Sequence, residues 1–502
     1  MAEASEIVNF FTDKVVFLTG GTGFLGKVTL ERLLRVCRVK TVYILVRQKK
    51  GKSEVERFDE IFGQVLYDRL KKECPDYRQH VAMITGNCSD ENLNISEENW
   101  NILHSEVEVV LHCAATVRFD QSFRTAYYIN VRATKDLIEN AKKMIKLKSF
   151  IHVSTAFSNC HEKTIEEKIY QPPMTEEQLN TLLQTFPDDK FIKTMEPSLL
   201  GEFPNTYTYT KCVAEELVSR MAKDPGNPLP IAIVRPSMIL SSYKEPMPGW
   251  IDNVYGPPGA TVSCGVGLLR TLHCDLVKKA DIVPVDFVVN ALLAVAYNTS
   301  QKERSTDAFD VYNFTSWKHS IDWSTYMDLC SKEGRNYPLM SAIWRPFFLP
   351  TRYLFLYNLY WFLLHTIPAH IVDGILKIMG KTPLLVAGYK KIRKFTEVIS
   401  FFTVREWQMP HRKIVALFEK MNKTDQELFE LRMSTFNWEE YAKDYVLGGR
   451  IYILKEPVTK AEDANRHHRK LFVAHYTLVC FLIFIGAYML NFFLSLFGYN
   501  FF

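Results

Sequence analysis

Residues 14–26 read KVVFLTGGTGFLG. An apolar, β-branched run ends in glycine, and glycines at 20, 23 and 26 lead into residues of helical period. The pattern predicts a strand, a tight turn and a helix start. Gly20 lets the chain turn, Gly23 keeps a Cβ away from an approaching pyrophosphate, and Gly26 lets the helix pack close on the strand. The helix start offers unpaired N–H groups and the positive end of its dipole to a phosphate. Thr19, Gly20, Gly21, Thr22, Gly23, Phe24, Leu25 and Gly26 are therefore the candidate dinucleotide contacts.

Working outward, strand-like runs recur at 41–46 (TVYILV), 81–85 (VAMIT), 107–113 (VEVVLHC), 149–154 (SFIHVS) and 230–235 (PIAIVR). Segments of helical period, such as 27–36 and 132–144, lie between them. This alternation predicts an α/β fold, a doubly wound parallel sheet of the Rossmann type. An NAD enzyme usually carries Asp or Glu at the end of the second strand, for the ribose hydroxyls. Here Arg47 stands there, followed by Lys49, Lys50 and Lys52. A cation suits a 2′-phosphate, so NADPH is the expected cofactor.

Tyr207 and Lys211 are four residues apart, which puts them on one face of a helix. An ammonium near a phenol favours the phenolate and lowers its pKa, and such a tyrosine can pass a proton to a carbonyl oxygen. Tyr209 faces the other way and reads as packing. Ser154 and Thr155 end the fifth strand, where a hydroxyl reaches the ligand crevice and can steady an oxyanion. His152, inside the strand, reads as a core histidine. Cys160 and Cys212 lack the His base that a nucleophilic thiol needs.

The chain has 502 residues, which suggests two or three compact units. Residues 1–340 are expected to form the NADP-binding Rossmann-type domain with its substrate-binding insertions. A shift to Phe, Leu, Tyr and Trp near Trp344 marks a mostly helical domain over 341–455, holding the stretch FNWEEY at 436–441. Residues 471–498 carry no Asp, Glu, Lys or Arg, and a span needs about 20 apolar residues. A transmembrane anchor is expected over 471–493. Arg466, His467, His468, Arg469 and Lys470 precede it, and a basic flank is cytosolic by the positive-inside tendency. A second apolar stretch, 353–372, contains Asn358, His365, Pro368 and His370. It reads as a span, an interfacial helix or a wall of an acyl tunnel. Residues 1–10 have neither the basic nor the apolar region of a secretory signal, so the catalytic part is expected to face the cytosol. Net charge is +5, too weak over this length to suggest nucleic acid. The ten cysteines form no C-x-x-C pair and no zinc spacing, so free thiols and no metal are expected.

With these residues in view, the chain resembles the extended short-chain dehydrogenase/reductase superfamily and, within it, the alcohol-forming fatty acyl-CoA reductases. The resemblance is carried by TGGTGFLGKV (19–28), YILVRQK (43–49), LHCAATVRFD (111–120), NVRAT (130–134), HVSTAFSNC (152–160), NTYTYTK (205–211), IVRPSMI (233–239), EPMPGWIDN (245–253) and DIVPVDFVVN (281–290). It implies a catalytic set of Thr155, Tyr207 and Lys211, with Lys211 also on the nicotinamide ribose. It places Ala114, Ala115 and Thr116 along the cofactor, and Pro236 and Ser237 beside the nicotinamide. It implies two hydride transfers that take a long-chain fatty acyl-CoA through an aldehyde to a primary fatty alcohol with release of CoA, as in wax biosynthesis. One departure stands out: Gly86-Asn87-Cys88 replaces the Asp that many members of the superfamily place beside the adenine. Endoplasmic reticulum and peroxisome membranes both stay open, as does a homo-oligomer. The rival readings are a membrane-bound steroid or sugar-nucleotide dehydrogenase of the same superfamily, and a non-catalytic lipid-binding protein.

Overall fold

The computed structural model describes residues 3–48, 51–458 and 461–496. Lys49 and Lys50, and residues 497 and 498 of the apolar C-terminal stretch, lie outside them. The chain divides into two compact units. One comprises Met1–Ile251, Lys279–Asp322 and Arg405–Tyr441; the other comprises Asp252–Lys278, Trp323–Val404 and Ala442–Phe502. The boundary expected at 340 falls inside the second unit's Trp323–Val404 segment, and FNWEEY falls in the first. The chain leaves the first unit and returns. On its return, Asn313 Nδ2 donates to the carbonyls of Ile165 and Pro410, and the Tyr441 hydroxyl donates to the Ser241 carbonyl.

The first unit is built on seven strands: β1 (Val15–Thr19), β2 (Thr41–Val46), β3 (Val81–Thr85), β4 (Val109–His112), β5 (Ser149–Val153), β6 (Ile231–Pro236) and β7 (Asp310–Phe314). They are all parallel, in the order β7-β6-β5-β4-β1-β2-β3. Six strands lie where the apolar runs predict them. The edge strand β7 is an addition, hidden because DVYNF mixes polar residues into a strand whose Asn313 is nonetheless fully buried.

Alternation along each strand feeds two layers. Val15, Phe17, Val110, Phe150, Ile231 and Ile233 share one core with Leu137 of helix α2 (Ala133–Ala141) and Val218 of helix α3 (Thr206–Ala222). Helix α1 (Phe24–Arg35) touches β1 and helix α4 (Val285–Ser300), and α4 packs on β5 and β6. Because every strand runs the same way, all seven carboxyl ends reach one edge.

The second unit is mostly helical. It contains a helix at Leu385–Thr403 and two helices long and apolar enough to cross a membrane, Leu354–Ile378 and Glu462–Ser495. No residue in the most apolar window of the latter is buried.

Candidate active site

The glycine turn is shaped by contacts that leave no room for side chains. Gly20 has φ +74°, and a Cβ there would lie 2.7 Å from the Ala114 nitrogen. A Cβ on Gly26 would stand 2.2 Å from the Gly20 carbonyl oxygen. Gly23 is the N-cap of α1 and supplies no capping side chain, so the first turn keeps its N–H groups for a ligand. This is a cradle that fits a dinucleotide pyrophosphate. Phe24 stacks on Trp250 of the EPMPGWIDN stretch at 5.5 Å, which ties that stretch to the start of α1. Glu245 of that stretch also pairs with Arg35 and Arg69 at 2.5 and 2.9 Å. Asp286, from DIVPVDFVVN, accepts the N–H groups of Tyr243, Lys244 and Glu245 at 2.8–3.0 Å. Sequence reading did not assign these roles, since the partners lie far apart in the chain.

Thr19 is buried, and it ties the turn to β4. The Ala114 N–H donates to Thr19 Oγ1 at 3.3 Å, and that hydroxyl lies 2.7 Å from His112 Nδ1. His112 Nε2 lies 3.0 Å from Thr134 Oγ1, whose proton goes to the Asn130 carbonyl. Thr134 must therefore accept from Nε2–H, which makes Nδ1 the acceptor for Thr19. Burial, with Lys211 nearby, lowers the His112 pKa to about 3, in keeping with a neutral ring. Ala114, Ala115 and Thr116 follow β4, half-buried at the carboxyl edge. The Thr116 N–H donates to Asn130 Oδ1 at 2.9 Å, while Asn130 Nδ2 donates to Thr210 Oγ1 at 3.0 Å. Asn130 thus joins the loop after β4 to the helix that carries Tyr207 and Lys211. Its position in a π-type turn, Tyr128–Arg132, is not visible in the sequence.

Asn205 caps α3 by accepting from the Thr208 N–H at 2.9 Å, which sets Tyr207 in the first turn. Lys211 is buried, and its Nζ donates to the Val153 carbonyl at the end of β5, at 2.7 Å. Burial lowers its pKa to about 8. Thr155, two residues beyond β5, accepts from the Phe157 N–H at 3.2 Å and lies near enough to the Tyr207 phenol to favour its ionised form. The structure therefore gathers Thr155, Tyr207 and Lys211 around one strand end. It corrects one expectation: the phenol is not lowered by Lys211. Burial pushes Tyr207 up to about 12 against the opposing influence of the Thr155 hydroxyl, and the ammonium is turned to a backbone carbonyl instead. Ser154 and His152 are buried beside them, and burial lowers His152 well below its ordinary value. Tyr209 packs against Phe123 and Phe203. The Cys160 thiol is buried and pushed up to about 12, and burial raises Cys212 as well.

Pro236 ends β6 and Ser237 follows it, both buried. Arg47 is exposed just beyond β2. A second guanidinium joins it: Arg57 donates to the Arg47 carbonyl and, at 3.4 Å, to Thr22 Oγ1. Burial and the like charge of Arg47 lower the pKa of Arg57. Ten residues separate the pair, in a stretch that carries no motif to mark Arg57.

A glycine cradle at the carboxyl end of β1, and a hydroxyl, phenol and ammonium at that of β5 two strands away, define a nicotinamide-dependent oxidoreductase. Two family models, each described as Male sterility protein, match residues 18–292 and 364–456. The chain is 36% identical over 496 residues to fatty acyl-CoA reductase wat of Drosophila melanogaster, covering 99% of this chain and 95% of that protein. It is 37% identical over 470 residues to fatty acyl-CoA reductase 1 of Homo sapiens, covering 93% and 90%. The chain belongs to the fatty acyl-CoA reductase family. Its fold is shared with the terminal R domain of the myxalamid PKS-NRPS pathway (TM-score 0.57, 17% identity, 90% of this chain and 96% of that one). It is likewise shared with the reductase domain of a Mycobacterium tuberculosis non-ribosomal peptide synthetase (TM-score 0.57, 16% identity, 90% and 96%).

Proposed function

We propose that this enzyme reduces long-chain fatty acyl-CoA to a primary fatty alcohol, with NADPH as the reductant and free CoA as the second product. When bound, NADPH supplies hydride for two reductions, of the thioester to an aldehyde and of the aldehyde to the alcohol. The observation that carries this reading is the meeting of Thr155 and Tyr207 at the end of β5, one helical turn from Lys211. With its pKa near 12 the phenol holds its proton at neutral pH, ready to give it to a carbonyl oxygen as negative charge develops there. Thr155 orients that phenol and steadies the oxyanion. Lys211 holds the ribose once its ammonium turns from Val153. Ala114 and Ala115 leave space along the cofactor, and Pro236 and Ser237 flank the nicotinamide. The guanidinia of Arg47 and Arg57 suit a 2′-phosphate, which favours NADPH over NADH.

The C-terminal helix Ala461–Ser495 serves as the membrane anchor. Its basic start, Arg466 to Lys470, favours a catalytic unit on the cytosolic side, at an endoplasmic reticulum or peroxisome membrane. The test is direct. The detergent-solubilised chain is given NADPH or NADH with acyl-CoAs of graded length, and products are resolved by mass. Long-chain alcohol with consumption of two NADPH per CoA released supports the reading. Aldehyde as the end product removes the second reduction, and no acyl product removes the assignment.

A further inference from the structure

We propose that the helices Leu354–Ile378 and Leu385–Thr403 form a second membrane contact, lying in the headgroup layer of an anionic bilayer without crossing it. The inference rests on the reading of the chain as membrane-anchored and adds a site to it. The first helix divides into two faces. Tyr357, Trp361, His365, Ala369 and Asp373, one in every four residues, are buried. An α-helix turns every 3.6 residues, so a strict spacing of four drifts around it. The wider π-type turn at Phe362–Thr366 takes up part of that drift. The outward face is apolar: Phe355 is 76% exposed and Ile378 89%, with Phe362, Leu363, Ile371 and Ile375 between them.

The packing partner decides how deep this face can sit. The Leu354–Ile378 helix packs on Leu385–Thr403, which bears Lys390, Lys391, Arg393, Lys394 and Glu397. Asp373 joins the two helices by accepting the N–H groups of Leu384, Leu385 and Val386 at 2.9–3.0 Å. So many charges are too costly to carry into hydrocarbon, so the pair stays at the surface. Charge also names the occupant. Residues 374–396 contain no Asp or Glu, and Lys377, Lys381, Lys390 and Lys391 are exposed, as are Ile375, Ile378, Met379 and Leu384. Apolar side chains rimmed by lysines match an interface of acyl chains under anionic headgroups.

The experiment uses the full chain reconstituted into vesicles of neutral lipid, or of neutral lipid with roughly one-third phosphatidylserine, each doped with a photoreactive acyl lipid. Labelled peptides are then mapped by mass spectrometry. Peptides from 354–394 should be labelled, several-fold more with phosphatidylserine, and the C-terminal helix should be labelled equally in both. Lys381→Glu, Lys390→Glu and Lys391→Glu together should cut the first labelling by about tenfold or more and spare the second. If that variant fails to fold, the dependence of the unaltered chain on lipid charge carries the test. Label on the C-terminal helix with none on 354–394 overturns this inference and leaves the anchor standing. No label on either overturns both. Labelling of 354–394 indifferent to lipid charge means a buried span, and cross-links between copies through this face mean self-association; either overturns the proposal.

Discussion

Arg235 and Glu215 meet through two hydrogen bonds, Nε to Oε1 at 2.8 Å and Nη2 to Oε2 at 2.6 Å, with both side chains shut off from water. Two of the three remaining guanidinium protons go to the carbonyls of Glu166 and Lys168. The pair clamps α3 to β6, one helical turn beyond Lys211. Removing one partner strands a buried charge. Arg235→Met or Glu215→Leu alone should cost about 3–5 kcal/mol, and the double change clearly less than the sum. Thermal unfolding of the four proteins in one detergent measures this.

Tyr207→Phe removes only the proton that the substrate oxygen needs. Turnover should fall by about 10²- to 10⁴-fold, while NADPH binding, followed by its fluorescence, stays near that of the unaltered chain. Loss of binding with turnover would assign Tyr207 to the cofactor site instead.

Lys211 has a folded pKa of about 8, below the value of about 10.4 for a free lysine. Between these values the unfolded chain binds more protons, so this residue's contribution to stability rises with pH across that window. It is fully present above the unfolded value and lost as pH falls through the folded one. Function runs the other way: the ammonium that would hold the ribose disappears above about pH 8 in the unliganded protein. The KM for NADPH should climb there. In Lys211→Met it should be high and flat over the same range, as initial rates at fixed acyl-CoA would show.

Arg57→Ala should raise the Kd for NADPH by about tenfold or more, the worth of a charged hydrogen bond, and leave that for NADH nearly unchanged. Titration with both nucleotides checks it. Equal losses would make Arg57 a structural residue that holds the loop after β2.

The parts of the site that could be read from sequence are those whose chemistry is local. The glycines act within one turn, Tyr207 and Lys211 within one helix face, and Thr155 at the end of its own strand. What escaped reading depends on partners far along the chain. Glu245 reaches back to Arg35 across 210 residues, and Asn130 reaches Thr210 across 80. Nothing in EPMPGWIDN or NVRAT announces those partners. The pKa of Tyr207 was misjudged because spacing reports that Lys211 is near, and not that Val153 claims its ammonium. The unit boundary was hidden because composition follows the chain, whereas β7 and Arg405–Tyr441 rejoin a core already built.

The chain of hydrogen bonds from the Ala114 N–H through Thr19, His112 and Thr134 to the Asn130 carbonyl has a direction. Each side chain in it gives one proton and takes one, so no member can be exchanged for a pure donor or a pure acceptor without reversing its neighbours. Evolution should therefore treat positions 19, 112 and 134 as a single inherited character. Among relatives the trio should persist intact or be replaced together by an apolar set, and a lone leucine at any one of them should be rare.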